Sequence, residues 1–139
     1  GVNAWASQPR WRVLETAFGS GHHFLRSWQA WKDDPQRPAM LHVCSILSSP
    51  PDARELLRRV EGDLELGPLA LELAPQWFGL TPGFHRLTFE QGRVLLTVCV
   101  GDARHLLREM DFTADAVVLA DGDADWLKSM SRLAGEERF

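Results

Sequence analysis

Four short stretches carry residue types that could do chemistry. Ala17-Phe18-Gly19-Ser20-Gly21 sets two glycines two residues apart, just after the carboxylate of Glu15. Glycine lets a backbone pass close to a ligand, and a helix starting there offers unpaired N–H groups. Such a turn cradles a bound molecule. Gly101-Asp102 repeats the theme, with a carboxylate that can also cap a helix. Ile46-Leu47-Ser48-Ser49 and Leu119-Ala120-Asp121-Gly122-Asp123 end apolar runs in the same way. His22-His23 and the two cysteines, Cys44 and Cys99, add potential metal ligands. Adjacent helical residues point in different directions, and no C-x-x-C spacing exists, so no metal site is expected. Asp121, Asp123 and Asp125 lack the sixth-position Gly and twelfth-position Glu of a calcium loop.

These stretches need elements to hold them. Trp11–Thr16 reads as a short buried strand, followed at once by the glycine turn. Phe24, Leu25, Trp28 and Trp31 then recur at helical spacing, which predicts an amphipathic helix over 22–32, ended by Pro35 and Pro38. Trp28 and Trp31 share one face of it and are expected in the core. Met40–Leu47 is a second apolar strand. Asp52 opens a helix running through Arg59, and another is predicted from Pro68 to Phe78. His85–Glu90 and Arg93–Val100 read as strands joined by a Gln91-Gly92 hairpin turn. A helix over 103–110, a strand over 116–120 and a last helix over 124–133 follow.

Short apolar strands alternating with helices imply an α/β fold with a doubly wound, Rossmann-like parallel sheet. The expected organisation is a single domain over 1–139, with a polar leading segment at 1–10, a helical insertion at 52–80 and a hairpin at 85–100. In such sheets, ligands bind at the carboxyl ends of the strands near the topological switch point. All four stretches fall at such ends. The spacing Ala17-x-Gly19-x-Gly21 is close to the G-x-G-x-G of S-adenosylmethionine enzymes. His22 and Phe24 are too large for the dinucleotide pattern G-x-G-x-x-G.

Composition narrows the partners. Residues 1–100 carry ten bases and ten acids, so the net charge of −4 arises wholly in 101–139. A pI of about 5.7 is low for a stand-alone nucleic-acid binder, so any RNA contact needs a local patch or a partner domain. No apolar run long enough to span a membrane occurs, and no secretory signal is visible at the start. Buried free thiols and these absences fit a cytoplasmic protein.

The run Val13-Leu14-Glu15-Thr16-Ala17-Phe18-Gly19-Ser20-Gly21-His22-His23-Phe24-Leu25, with Trp28, Ala30 and Trp31, resembles one family. It is similar to the methyltransferase domain of the bifunctional tRNA enzymes that make 5-methylaminomethyl-2-thiouridine at the wobble position, which read roughly V-L-E-T-G-F-G-x-G-x-N-F-L-x-x-W-x-A-W. Leu41-His42-Val43, Gln76 to Leu87, Gly92-Arg93-Val94 and Gly101-Asp102-Ala103 match in order. The resemblance covers residues 11–122. It implies a class I methyltransferase fold, S-adenosylmethionine as cofactor, tRNA as substrate, and methylation of the aminomethyl nitrogen. It also implies that FAD belongs to a fused oxidase domain, of which this chain shows no sign. By the same resemblance, Glu15, Ala17, Gly19, Gly21, Leu47, Gly101 and Asp102 line the cofactor. Asp121 is the catalytic candidate, standing for the Asp of the family's L-D-x-F. Arg10, Arg12, Arg26, Arg37, Arg86 and Arg104 are candidates for tRNA phosphates, though sequence does not say which of them share a face.

The chain departs from the family at the cofactor edge. Ala17 replaces a glycine and His23 an asparagine. Leu47 stands where an acid holds ribose hydroxyls, and Leu119-Ala120-Asp121-Gly122 replaces L-D-x-F. Ala120 or Asp121 could occupy the catalytic place. Losing charge-assisted hydrogen bonds at Leu47 costs on the order of 1.5–3 kcal/mol each. Ala17, Leu47 and Ala120 therefore motivate a second expectation, a non-catalytic module that kept the fold but lost the cofactor. A nicotinamide-binding Rossmann domain is a third and weaker one, since it too needs an acid where Leu47 stands. A class I sheet has seven strands, so 139 residues predicts a domain incomplete on its C-terminal side. Its open edge strand would aggregate or pair with a second copy.

Overall fold

The structure is a computed structural model that describes residues 2–16, 18–109 and 113–119. Five strands form one sheet in the order β3-β4-β2-β1-β5: β1 Arg10–Glu15, β2 Met40–Leu47, β3 Gly83–Phe89, β4 Val94–Val100 and β5 Ala116–Val118. β1 pairs in parallel with β2 and β5, and β2 with β4, while β3 runs antiparallel to β4. Among the described residues, four helices accompany them: α1 His22–Asp33, α2 Ala53–Arg59, α3 Leu66–Leu73 and α4 Ala103–Glu109. None is long and apolar enough to cross a membrane.

The sheet is covered on both faces, as a doubly wound fold requires. On one face, Phe24, Leu25, Trp28 and Trp31 of α1 and Leu56, Leu69 and Leu73 of α2 and α3 pack on Val13, Leu41, Val43, Leu96 and Val98. The expected core role of Trp28 and Trp31 holds. Their indole N–H groups are satisfied by Glu90 Oε2 at 2.8 Å and the Pro38 carbonyl at 2.9 Å. On the other face, Leu106 and Leu107 of α4 pack on Leu14, Cys44, Ile46 and Cys99. Cys44 and Cys99 are free, buried and 3.4 Å apart at sulfur. That hydrogen bond and burial push the Cys44 thiol above its ordinary range.

Most sequence-predicted elements are present, with local corrections. β1 begins at Arg10 and ends at Glu15. The helix expected over 68–78 instead spans Leu66–Leu73 and tightens into a 3-10 turn over Ala74–Gln76. Asp63 starts it early, accepting from the Glu65 and Leu66 N–H groups at 2.9 and 2.8 Å. Pro75 ends it, because it has no N–H to continue the ladder. The hairpin turn is a four-residue connection, Glu90–Arg93, since Phe89 pairs with Val94. Glu90 and Gln91 both take positive φ there, 54° and 59°. Trp28 and Lys32 hydrogen bonds hold the Glu90 side chain in place, 2.8 and 3.2 Å away. The predicted strand end at 119–120 and the helix over 124–133 fall mostly or wholly outside the described residues.

Candidate functional site

β2 and β4 are added on one side of β1, and β5 on the other. The order therefore reverses between β1 and β5, which is the switch point of the sheet. At the carboxyl ends of β1, β2 and β4 lies a cleft of about 380 Å³. Its walls are Thr16, Phe18 and Gly19 after β1, Ile46 to Ser49 at the end of β2, and Gly101 to Ala103 after β4. Three of the four strand-end stretches read from the sequence thus meet in one place. The fourth, with Ala120 and Asp121, lies outside the described residues, as does Ala17.

The glycine turn is built as its sequence suggests. Gly21 takes φ 86°, caps α1 and returns its N–H to the Phe18 carbonyl at 2.8 Å. It does not line the cleft. A Cβ on Gly21 would sit 3.1 Å from the Phe18 ring and 3.5 Å from Leu56. Gly19, φ 56°, is the reverse case: a Cβ there would meet nothing within 4 Å, so its backbone faces open space. The buried Phe18 ring stacks on Trp77, with centroids 5.1 Å apart and planes 7° from parallel. Phe18, Ser48 and Ser49 fall within the strand-end stretches but were not named as cofactor-lining candidates. An apolar residue inside a glycine turn was the available signal for Phe18.

The second and third walls are tied together. The Gly101 N–H donates to the Leu47 carbonyl at 3.1 Å, joining the ends of β4 and β2. Leu47 is half-buried and packs against the α1-side core, so this wall of the cleft is apolar. Asp102 lines the cleft and also caps α4, its Oδ1 accepting from the His105 N–H at 3.0 Å.

Glu15 is placed differently from the other candidates. It is completely buried and does not line the cleft. It faces its register partner Ser45, whose hydroxyl donates to Glu15 Oε1 at 2.5 Å, while Oε2 meets His23 Nδ1 at 3.0 Å. Both oxygens therefore have protein partners, and the carboxylate joins β1, β2 and the first turn of α1. Among the described residues, no group of three His, Cys, Asp or Glu side chains could hold a metal ion.

A glycine turn after β1, a cleft at the switch point and a predominantly parallel sheet with helices on both faces make this a doubly wound, Rossmann-like fold, the architecture that class I methyltransferases use. A family model described as S-adenosyl-L-methionine-dependent methyltransferase matches residues 65–124. The chain is 56% identical over 125 residues to the tRNA 5-methylaminomethyl-2-thiouridine biosynthesis bifunctional protein MnmC of Polaromonas sp. (strain JS666 / ATCC BAA-500), covering 90% of this chain and 20% of that protein. The protein of the same name from Delftia acidovorans is 46% identical over 139 residues, covering 93% and 21%. Among solved structures, the crystal structure of MnmC2 from Aquifex aeolicus superposes with a TM-score of 0.54 at 22% identity, over 84% of this chain and 34% of that one. Over most of its length the chain is thus similar to one part of proteins named MnmC. The chain spans about one fifth of the length of these curated relatives.

Proposed function

We propose that the cleft binds S-adenosylmethionine and that the chain serves methylation of the 5-aminomethyl group on the wobble 2-thiouridine of tRNA. The supporting observation is the 56% identity, over nine tenths of the chain, to a protein named for the biosynthesis of that nucleoside. The cleft fits such a ligand: about 380 Å³ lies within the range of small-molecule sites, roughly 300–1,000 Å³. Its open backbone at Gly19 and polar groups at Ser48, Ser49 and Asp102 suit a ligand with amino-acid and nucleoside parts.

S-adenosylmethionine supplies a methyl group already activated on a sulfonium, so the protein must chiefly align the amine and take up its proton. In this reading the Gly19 backbone and the α1 N-terminus receive the amino-acid end, and Asp102 accepts from the adenine amine. Phe18 forms an apolar wall, and Leu47 lies beside the ribose. Glu15 and Gly21 act through the turn, fixing where Gly19 stands. Asp121 is the carboxylate proposed to orient the amine, with Ala17 beside the cofactor. FAD is assigned to the oxidase part of the longer relatives, and it has no role in this cleft.

The test is calorimetric titration with S-adenosylmethionine, followed by methyl transfer from labelled cofactor to hypomodified tRNA. Saturable binding and tRNA-dependent incorporation of label are expected. No binding at millimolar cofactor by folded protein would defeat the proposal for this chain.

A further inference from the structure

Among the described residues, helical packing covers only half of the sheet's second face. The buried Leu106 and Leu107 of α4 pack on Leu14, Cys44, Ile46 and Cys99, towards the carboxyl ends of the parallel strands. Strand alternation puts Arg10 and Arg12 of β1, His42 of β2, Thr97 of β4, and Phe84 and Arg86 of β3 on the same face. In register, Arg12 lies opposite His42 and Thr97 opposite Arg86. His42 Nε2 and Thr97 Oγ1 are 2.7 Å apart. One polar row thus crosses four adjacent strands.

The row is cationic and accessible. Arg10 and Arg86 are exposed, Arg12 and His42 are half-buried, and Phe84 is 50% exposed beside them. The strand positions on this face hold Arg10, Arg12 and Arg86, and none holds an acid. Asp115, in the segment before β5, accepts the Arg12 backbone N–H at 2.8 Å and marks the rim. A cleft of about 240 Å³ opens there, lined by Arg10, Arg12, Thr113 and Asp115 among others. Burial and the two guanidiniums of Arg86 and Arg12 hold His42 neutral at physiological pH, so the row's positive charge resides on arginine.

Central strands of a doubly wound sheet are normally apolar on both faces. A row of Arg, His and Thr is suited to a polar, anionic partner and not to a packed helix. The whole chain is net negative, so this row is the local concentration of positive charge that RNA contact would require. We infer that the Arg12–His42–Thr97–Arg86 row, with Arg10 at its end, docks the phosphodiester backbone of the RNA substrate. The inference rests on the tRNA reading above and adds the surface that carries the RNA.

The test is fluorescence anisotropy of a labelled tRNA transcript with the full chain across a salt series. Thermal shift with S-adenosylmethionine and urea unfolding check that each variant is folded. The double variant Arg12→Gln/Arg86→Gln is expected to bind RNA at least about tenfold more weakly. Its slope of log K against log salt should fall by roughly 1.4–1.8, two phosphate contacts at about 0.7–0.9 each. Arg58→Gln/Arg59→Gln, on α2 over the opposite face, should match the parent. The inference is overturned if the folded Arg12/Arg86 variant keeps the parent affinity and slope, if the α2 variant loses as much, or if the parent binds no RNA. Methyl transfer by the Arg12/Arg86 variant with an unchanged KM for tRNA would sink the docking row and leave the proposed function standing. RNA binding through the row without methyl transfer would do the opposite.

Discussion

Leu47 is the position where one side chain should decide how tightly the cofactor is held. It ends β2 and lines the cleft, and its backbone is fixed by the 3.1 Å bond from the Gly101 N–H. Leu47→Glu therefore changes the wall without moving the strand. The cost is the apolar burial of a half-buried leucine, about 1 kcal/mol of stability, since complete burial is worth about 1.5–3 kcal/mol. The gain is a carboxylate where the proposed reading places the ribose. A single charge-assisted hydrogen bond is worth about 1.5–3 kcal/mol, so the Kd for S-adenosylmethionine should fall roughly tenfold to a hundredfold. Leu47→Gln offers a neutral acceptor of the same shape and should recover only part of that gain. Calorimetry reads the affinities, and a small drop in the urea midpoint reports the lost packing. If folded Leu47→Glu binds no more tightly than the parent, or if the Gln variant does equally well, the placing of the ribose beside Leu47 is wrong.

Two further outcomes follow from the geometry. His42 titrates at about 4 in the folded chain against 6.5 ordinarily, because burial first, and then Arg86 and Arg12, disfavour its charged form. The unfolded chain binds that proton and the folded one does not, so stability should be flat above pH 6.5 and fall towards pH 4. The loss attributable to His42 should be about 1–2 kcal/mol after screening, and His42→Gln should flatten that part of a urea-midpoint profile. Gly21→Ala forces a left-handed backbone on alanine, costing about 1–2 kcal/mol, and pushes its Cβ to 3.1 Å from the Phe18 ring. It should lower the urea midpoint and perturb the fluorescence of Trp77, and an unchanged midpoint would show the turn to be less constrained than described.

What could be read in advance followed burial. β2 was legible to the residue because a mainly apolar run, interrupted only by His42 and Ser45, fills Met40–Leu47 between Pro38 and Pro50. β1 was displaced by one because Arg10 joins the sheet through main-chain pairing with Met40, which apolar patterning does not register. The start of α3 was missed because an aspartate side chain three residues upstream supplies its first acceptors. The hairpin length was missed because Glu90 holds a positive φ through contacts to Trp28 and Lys32, far away in sequence. In the site, Gly19, Leu47, Gly101 and Asp102 were legible as strand-end residues. Glu15 was not, because strand parity turns it from the cleft towards Ser45 on β2, where His23 of α1 also reaches it.

The helical segment between β2 and β3 bears directly on the cleft. Trp77, beyond α3, donates its indole N–H to the Pro51 carbonyl at 2.6 Å and stacks on Phe18 inside the glycine turn. Leu56 of α2 approaches the same turn, 3.5 Å from where a Gly21 Cβ would stand. Without that buttress a turn with two left-handed glycines would have many accessible conformations, since glycine loses the most backbone freedom on ordering. The cofactor would then have to order the turn as it bound. Packing an aromatic pair beneath the turn moves that cost to folding, so the open backbone at Gly19 is already in position when a ligand arrives. The same logic gives Glu15 its place. It lies under the turn with both oxygens bonded to neighbouring elements, and in the proposed reading its contribution to binding is the rigidity of the turn above it.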